Sequence, residues 1–262
     1  MKLKIYQIDA FTNTIFKGNP AAVIITDEWL EVDLMQSIAS ENNLSETAFA
    51  KKCDNSTYKI RWFSPIMEID FCGHATLAAA FVLFQENDSL KEVAFMAKAV
   101  GTLKVRQLEN DYIEMIFPNQ KPNKVESIPE ELVKGLSIEP KDVLVNQQTY
   151  FVVYPNEQDV YDVQVNLDEI KKLAPLDVTV TARSKEYDFI SRYFWPTNGT
   201  EDPVTGSMHT GLAPLWEERL NKNDLLAYQA SARGGILKCK VSDEHVVILG
   251  QAVQYLEGTI NI

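Results

Sequence analysis

The chain states one pattern twice, and that repetition limits what it can fold into. Phe63-Ser64-Pro65 is followed by Asp70 and then Gly73-His74, which open an apolar run from Ala75 to Phe84. In the second half, Phe194-Trp195-Pro196 is followed by Asp202 and then Gly206-Ser207, which open a second apolar run from Met208 to Trp216. Each copy reads as a strand, a turn and a helix whose first residues are small. The pattern predicts two pseudo-symmetric halves, each with one buried helix.

A helix N-terminus carries N–H groups without intrahelical partners and a partial positive charge. It can bind a carboxylate or phosphate without a basic side chain. Gly73 and Gly206 would let a ligand come close to the backbone. Two such starts facing each other across a cleft would grip one small acidic molecule. The plainer alternative is a pair of ordinary helix starts that pack well.

Composition narrows the partners. The 262 residues suffice for one large domain or two of ordinary size. A net charge of −12 repels nucleic-acid backbones and anionic membrane surfaces, so neither is an expected partner. A small anionic substrate remains open to a locally positive pocket. The three cysteines, Cys53, Cys72 and Cys239, form neither a disulfide framework nor a zinc module. No signal peptide and no run of eighteen apolar residues is read, so the expected location is the cytoplasm.

Along the chain, strands are expected at Lys4 to Phe11, Ala21 to Ile25, Thr47 to Lys51, Tyr58 to Phe63, Val93 to Met96, Gly101 to Gln107 and Tyr112 to Phe117. Asp33 to Glu41 reads as a helix, with Leu34 and Ile38 on one face. Ala75 to Phe84 is apolar on all sides, the mark of a buried helix. Pro118 to Val125 turns to Pro, Asn, Gln and Lys and is the expected boundary. Residues 1–117 would form the first domain, joined by a last strand within 254–262, and 118–253 the second.

The second half repeats the plan loosely. Short helices are expected at Pro129 to Leu136 and at Asp168 to Leu173, the latter capped by Asp168. Strands are expected at Val143 to Val145, Tyr150 to Tyr154, Val178 to Ala182, Phe189 to Phe194, Gly235 to Val241 and Val246 to Val253. The second long helix reads as Gly206 to Leu220. Pro214 inside it should cost roughly 3 kcal/mol or kink it, and the sequence offers no reason for it. The fold class is α+β, with mixed or antiparallel curved sheets around a central buried helix in each half.

Nucleotide-binding signatures and the nucleophile elbow of hydrolases are absent. His74 sits at a buried helix start, where a neutral imidazole can donate and accept at once. Asp202 holds the matching place in the second copy, or is a simple turn aspartate. Glu46 lies at the entry to a strand among Leu44, Ala48 and Phe49. These apolar neighbours predict a buried carboxyl usable as acid or base; the plain alternative is a solvated glutamate.

Gly18-Asn19-Pro20-Ala21-Ala22-Val23, Asn43-Leu44-Ser45-Glu46-Thr47, Phe71-Cys72-Gly73-His74-Ala75-Thr76 and Glu201-Asp202-Pro203-Val204-Thr205-Gly206-Ser207 together resemble the phenazine-biosynthesis (PhzF-like) isomerase family. The motifs run in the family's order over nearly the whole chain. The resemblance implies the two-domain, pseudo-symmetric fold of diaminopimelate epimerase. It implies Glu46 as the acid/base residue, with His74 and Asp202 in the same cleft. Gly73 and Ser207 match positions that help hold the substrate, and no cofactor or metal is implied; Gly206, at the second helix start, and Ser45, beside Glu46, are further candidates for substrate binding. Members often form dimers, so a homodimer is expected, although no exposed apolar helix declares an interface.

The related epimerases and proline racemase use two cysteines facing the α-carbon. Here Cys72 stands near one of those places, while Thr205 and Ser207 occupy the other region. The two-thiol mechanism is therefore disfavoured, and Cys72 reads as a small buried apolar residue. The expected function is a cofactor-independent isomerase that moves a proton on a small carboxylate. The alternatives are an amino-acid or hydroxy-acid racemase or epimerase, and a non-catalytic binding protein on the same scaffold. His209, following Met208, would change the polarity of the pocket or pack against the first domain.

Overall fold

Strand pairing follows the repeat that the sequence announces. A computed structural model describes residues 1–196 and 200–262. It divides into two units, Met1–Ile116 with Leu249–Ile262, and Phe117–Ile248.

The first unit contains β1 (Lys2–Ala10), β2 (Asn19–Thr26), α1 (Val32–Asn42), β3 (Glu46–Lys52), β4 (Thr57–Phe63), β5 (Glu68–Ile69), α2 (Gly73–Glu86), β6 (Glu92–Ala97), β7 (Gly101–Gln107), β8 (Ile113–Pro118) and, from the end of the chain, β18 (Ala252–Asn261). β1 pairs antiparallel with β2 and with β18. β2 runs parallel to β3, β3 antiparallel to β4, and β4 parallel to β6. α1 buries Met35, Ile38 and Ala39, an i, i+3, i+4 stripe, against Ile24, Phe49 and Phe63.

α2 is the unit's central helix and packs against β1, β2, β3, β7 and β18. Eleven of its fourteen residues are buried, including His74. No side chain caps its N-terminus. A cap is worth about 1 kcal/mol, whereas each buried Leu, Val or Phe contributes about 1.5–3 kcal/mol. Leu77, Val82, Leu83 and Phe84 therefore hold the helix without one.

The second unit contains β9 (Asn123–Lys124), α3 (Glu130–Gly135), β10 (Asp142–Val145), β11 (Thr149–Val153), α4 (Glu157–Asp162), α5 (Leu167–Ile170), β12 (Asp177–Arg183), β13 (Phe189–Trp195), β14 (Thr200–Asp202), α6 (His209–Leu220), β15 (Asp224–Gln229), β16 (Gly235–Val241) and β17 (His245–Gly250). Its pairing order copies the first unit. β10 is antiparallel to β11, β11 parallel to β12, β12 antiparallel to β13, and β13 parallel to β15. In both units a two- or three-residue strand follows the Phe-x-Pro segment and folds back on the strand before it. The long helix comes next, so the sequence echo is an echo of topology.

Four expectations need correction. The stretch Val246 to Val253 is two strands, β17 and β18, broken near Gly250, where an added Cβ would lie 2.4 Å from Phe11. β15 has no counterpart in the sequence reading. The cap of α5 is Asn166, whose side chain accepts from the Asp168 N–H, so Asp168 is the residue capped. The last helix begins at His209, three residues later than expected, because Gly206 to Met208 form a turn.

Pro214 now has a reason. A proline cannot donate to the carbonyl four residues back, here that of Thr210. That carbonyl accepts instead from the Gln120 N–H at 3.2 Å. The proline leaves an acceptor open for the segment entering the unit.

Gly18 is a turn position closed by backbone. Its φ is +64°, and an added Cβ would lie 2.1 Å from the Ala10 carbonyl oxygen. Gly18→Ala should cost clearly more than the roughly 1 kcal/mol of left-handed backbone strain alone. A lowered urea midpoint with an unchanged slope would show it.

Candidate functional site

The first cluster grows from two chain ends of regular structure. Asn43 closes α1 in the left-handed conformation, with its N–H bonded to the Ala39 carbonyl. The chain then enters β3 at Glu46, opposite Ala21 of β2. Glu46 is 4% exposed. Its Oε2 lies 3.0 Å from Nε2 of His74, the second residue of α2.

Asn19, at the start of β2, is fully buried and places its amide nitrogen 3.1 Å from His74 Nδ1. With the amide assigned in that sense, Asn19 donates to Nδ1 and the ring proton belongs on Nε2, facing Glu46. Cys72, also buried, sets its Sγ 3.4 Å from His74 Nδ1 and 3.6 Å from Glu46 Oε2. A carboxyl group, an imidazole and a thiol thus share one buried spot at the uncapped start of α2. Such a group can take up, hold and return a proton.

The second cluster lies in the turn before α6. Thr205 Oγ1 donates to Asp202 Oδ2. Gln229, fully buried, accepts from the Thr205 N–H at 2.8 Å and donates to the Asp202 carbonyl at 2.8 Å. Gln148 donates to Ser207 Oγ at 2.9 Å and to Tyr193 Oη at 3.1 Å, and Tyr193 donates to Asp177. Burial pushes the Asp177 carboxyl up to about 6, against the Tyr193 hydrogen bond, and the nearby Asp202 charge adds to the rise.

The family model for phenazine biosynthesis-like proteins matches residues 8–258. The chain belongs to that family. An uncharacterised isomerase of Pseudomonas aeruginosa is 45% identical over the full length of both chains. A PhzF-family protein of Enterococcus faecalis has the same fold, with a TM-score of 0.94 and 40% identity over the whole of each chain. A hydroxyproline epimerase of Agrobacterium vitis shares the architecture at a TM-score of 0.60 and 8% identity, covering 99% of this chain and 92% of its own. That likeness speaks for the fold alone. Among the described residues, no helix is long and apolar enough to cross a membrane.

Within this PhzF-like chain, Glu46, His74 and Gly73 come together in the first unit, with Ser45 half-buried next to Glu46. Asp202, Gly206 and Ser207 belong to the second unit, where Gly206 is buried and the other two are half-buried. His209 lies in the interior of that unit. It is fully buried, its ring lies 6.0 Å from Phe189, and its Nδ1 donates to the Thr205 carbonyl at 2.8 Å.

Sequence reasoning missed Asn19, Cys72 as a polar partner, Gln148, Asp177, Tyr193 and Gln229. Asn19 has a signal, since it sits in the Gly18-Asn19-Pro20 motif. Gln229 and Asp177 have none, because their partners are remote in sequence.

Two ionisable groups of the second unit, half-buried Asp177 and buried His209, shift stability with pH in opposite directions. Asp177 binds its proton more tightly in the folded chain, so its contribution falls as pH rises from about 4 through about 6. Burial pushes His209 down to about 4, so its contribution is lost as pH falls from about 6.5 to about 4. Asp177→Asn should therefore melt above the parent at about pH 8, by up to about 3 kcal/mol. By about pH 4 that advantage should be gone. Parallel thermal melts across this range check both signs.

Proposed function

We propose that this chain is an isomerase that moves a proton between carbons of a small carboxylate, with Glu46 as the acid/base group. The observation that carries the reading is the buried Glu46–His74 contact of 3.0 Å at the uncapped start of α2. Glu46 takes the proton from carbon and returns it to another position. His74, held by Asn19, orients Glu46 and shares the proton in transit. The N–H groups at the start of α2, beside Gly73, bind the substrate's negative charge.

Asp202, Ser207 and the backbone at Gly206 are the proposed substrate-binding groups of the second unit, and Ser45 beside Glu46 is one of the first. The reaction needs no cofactor, since a carboxyl and an imidazole suffice for proton transfer next to an electron-withdrawing group. A homodimer in the cytoplasm is the expected working form. The family match and the relatives named isomerases support the class of reaction.

A racemase or epimerase, in which Glu46 works with a partner other than a pair of thiols, is the second reading. Incubation of small carboxylates in D2O, followed by NMR, tests both readings. Deuterium entering a carbon position together with a change in ultraviolet absorbance supports the isomerase. Deuterium with loss of optical rotation and no absorbance change supports the racemase. A panel of bound carboxylates showing no exchange leaves only a binding role.

Asn19→Leu should slow exchange about tenfold or more by releasing the imidazole tautomer, with the fold retained. A normal circular dichroism spectrum beside a reduced exchange rate is the expected pair of results.

A further inference from the structure

Ser207, Gln148, Tyr193 and Asp177 form a chain of hydrogen bonds within the second unit. Gln148 is the middle link. Its amide nitrogen donates to Ser207 Oγ at 2.9 Å and to Tyr193 Oη at 3.1 Å, so both amide protons are committed. Tyr193 is buried and directs its single hydroxyl proton at Asp177 Oδ2. Ionised Asp177 can only accept, so the Tyr193 oxygen has to accept from Gln148. This fixes which end of the Gln148 amide faces Ser207. Ser207 Oγ receives a proton from Gln148, and its own O–H is left to donate elsewhere. We propose that this chain sets the polarity of Ser207: with Asp177 ionised the hydroxyl donates to a carboxylate oxygen of the substrate, and with Asp177 protonated the chain reverses and that bond is lost.

The reversal keeps every link of the chain. One proton enters from solvent at Asp177. A carboxylic acid is a stronger acid than a phenol, so its O–H takes the donor's part toward Tyr193 Oη. The Tyr193 proton then needs an acceptor, and Gln148 Oε1 supplies one when the amide turns over. The same oxygen accepts from the Ser207 O–H, so Ser207 presents only lone pairs outward. Burial pushes Asp177 up to about 6 against the Tyr193 hydrogen bond, and Asp202 is the other charged group that raises it. The reversal therefore falls close to neutral pH. His209 of the same unit is pushed down to about 4 by burial and stays neutral in that range.

Charge repulsion alone predicts the opposite sign. Ionised Asp177 repels a bound carboxylate, so affinity would rise on acidification. Across three hydrogen bonds and a half-exposed site this amounts to about two- to fivefold. A hydrogen bond to a charged group is worth about tenfold or more. Polarity outweighs repulsion, and affinity should fall on acidification. Gln148 and Tyr193 are positioning residues in this scheme, and Asp177 senses the proton. The inference deepens the function proposed above and rests on its assignment of Ser207 to substrate binding.

The test uses the full chain, labelled with 15N and followed by NMR, with sodium formate as the carboxylate probe. Before formate is added, the Gln148 side-chain amide signals should move with a midpoint of about pH 6. Formate should shift the Ser207 amide saturably and bind about tenfold more tightly at about pH 7.5 than at about pH 5. Tyr193→Phe keeps the Asp177 charge but cuts the chain, so this preference should vanish or take the sign of simple repulsion. Asp177→Asn should make formate binding independent of pH. An affinity that rises on acidification of the parent, a Tyr193→Phe protein with the parent's pH preference, or a Ser207 amide that formate does not shift would each overturn the inference. None of these readings uses turnover. Loss of the switch in a chain that exchanges protons leaves the role of Glu46 standing, and the switch is measurable in a chain that exchanges none.

Discussion

Glu46→Gln is expected to lower proton exchange by about 10²–10⁴-fold, about 3–5 kcal/mol of transition-state stabilisation. Glutamine has nearly the shape of glutamate, so it keeps a hydrogen bond to His74 Nε2 through its amide oxygen. The backbone pairing of position 46 with Ala21 is untouched. Melting temperature and substrate affinity should therefore change little, and the loss should fall on the turnover number. Glu46→Asp provides the contrast. It keeps the charge but withdraws the carboxylate by one methylene from a partner now at 3.0 Å, so it should retain part of the activity. The measurement is the rate of deuterium entry into a bound carboxylate. An unimpaired rate in a folded Glu46→Gln protein would remove Glu46 from the chemistry.

The sequence made Glu46 legible because burial is a local property. Leu44, Ala48 and Phe49 flank it, and β3 is buried at every position from Glu46 to Ala50, so the carboxyl goes into the interior with them. His74 was legible for a similar reason, since an all-apolar helix must be buried from its first turn. The repeat of strand order was legible as paired motifs, because each Phe-x-Pro and each glycine pair marks the same corner of the same topology. What stayed hidden was contact between residues far apart in sequence. Asn19 reaches His74 across 55 positions, and Gln229 reaches Thr205 across 24. No period or composition encodes such a pairing. Pro214 is a sharper case: it breaks a rule of helix chemistry, and the compensating donor is Gln120, ninety-four residues earlier. Cys72 was misread because burial alone suggested an inert side chain, whereas its surroundings are polar.

Gln229→Leu should be the most destabilising single change near Asp202. Gln229 is fully buried and binds both ends of the turn that carries Asp202 and Thr205. Leucine fills a similar volume but removes the bonds that Gln229 makes to the buried Thr205 N–H and to the half-buried Asp202 carbonyl. Losing each costs about 1–3 kcal/mol, so the sum is about 2–6 kcal/mol. At about 2–4 °C per kcal/mol for a chain of this size, the midpoint should drop by roughly 5–20 °C. Gln229→Glu separates hydrogen bonding from packing. A carboxylate still accepts from Thr205 N–H but offers the Asp202 carbonyl no donor, so about half of the loss should remain, growing as pH rises and the new carboxyl ionises. Calorimetry of both variants distinguishes the cases. Equal melting of Gln229→Leu and the parent would mean that the turn holds itself through Thr205 and Asp202 alone. Because that turn also presents Gly206 and Ser207, the same variant should weaken substrate binding more than it slows proton transfer, the opposite of the pattern expected for Glu46→Gln.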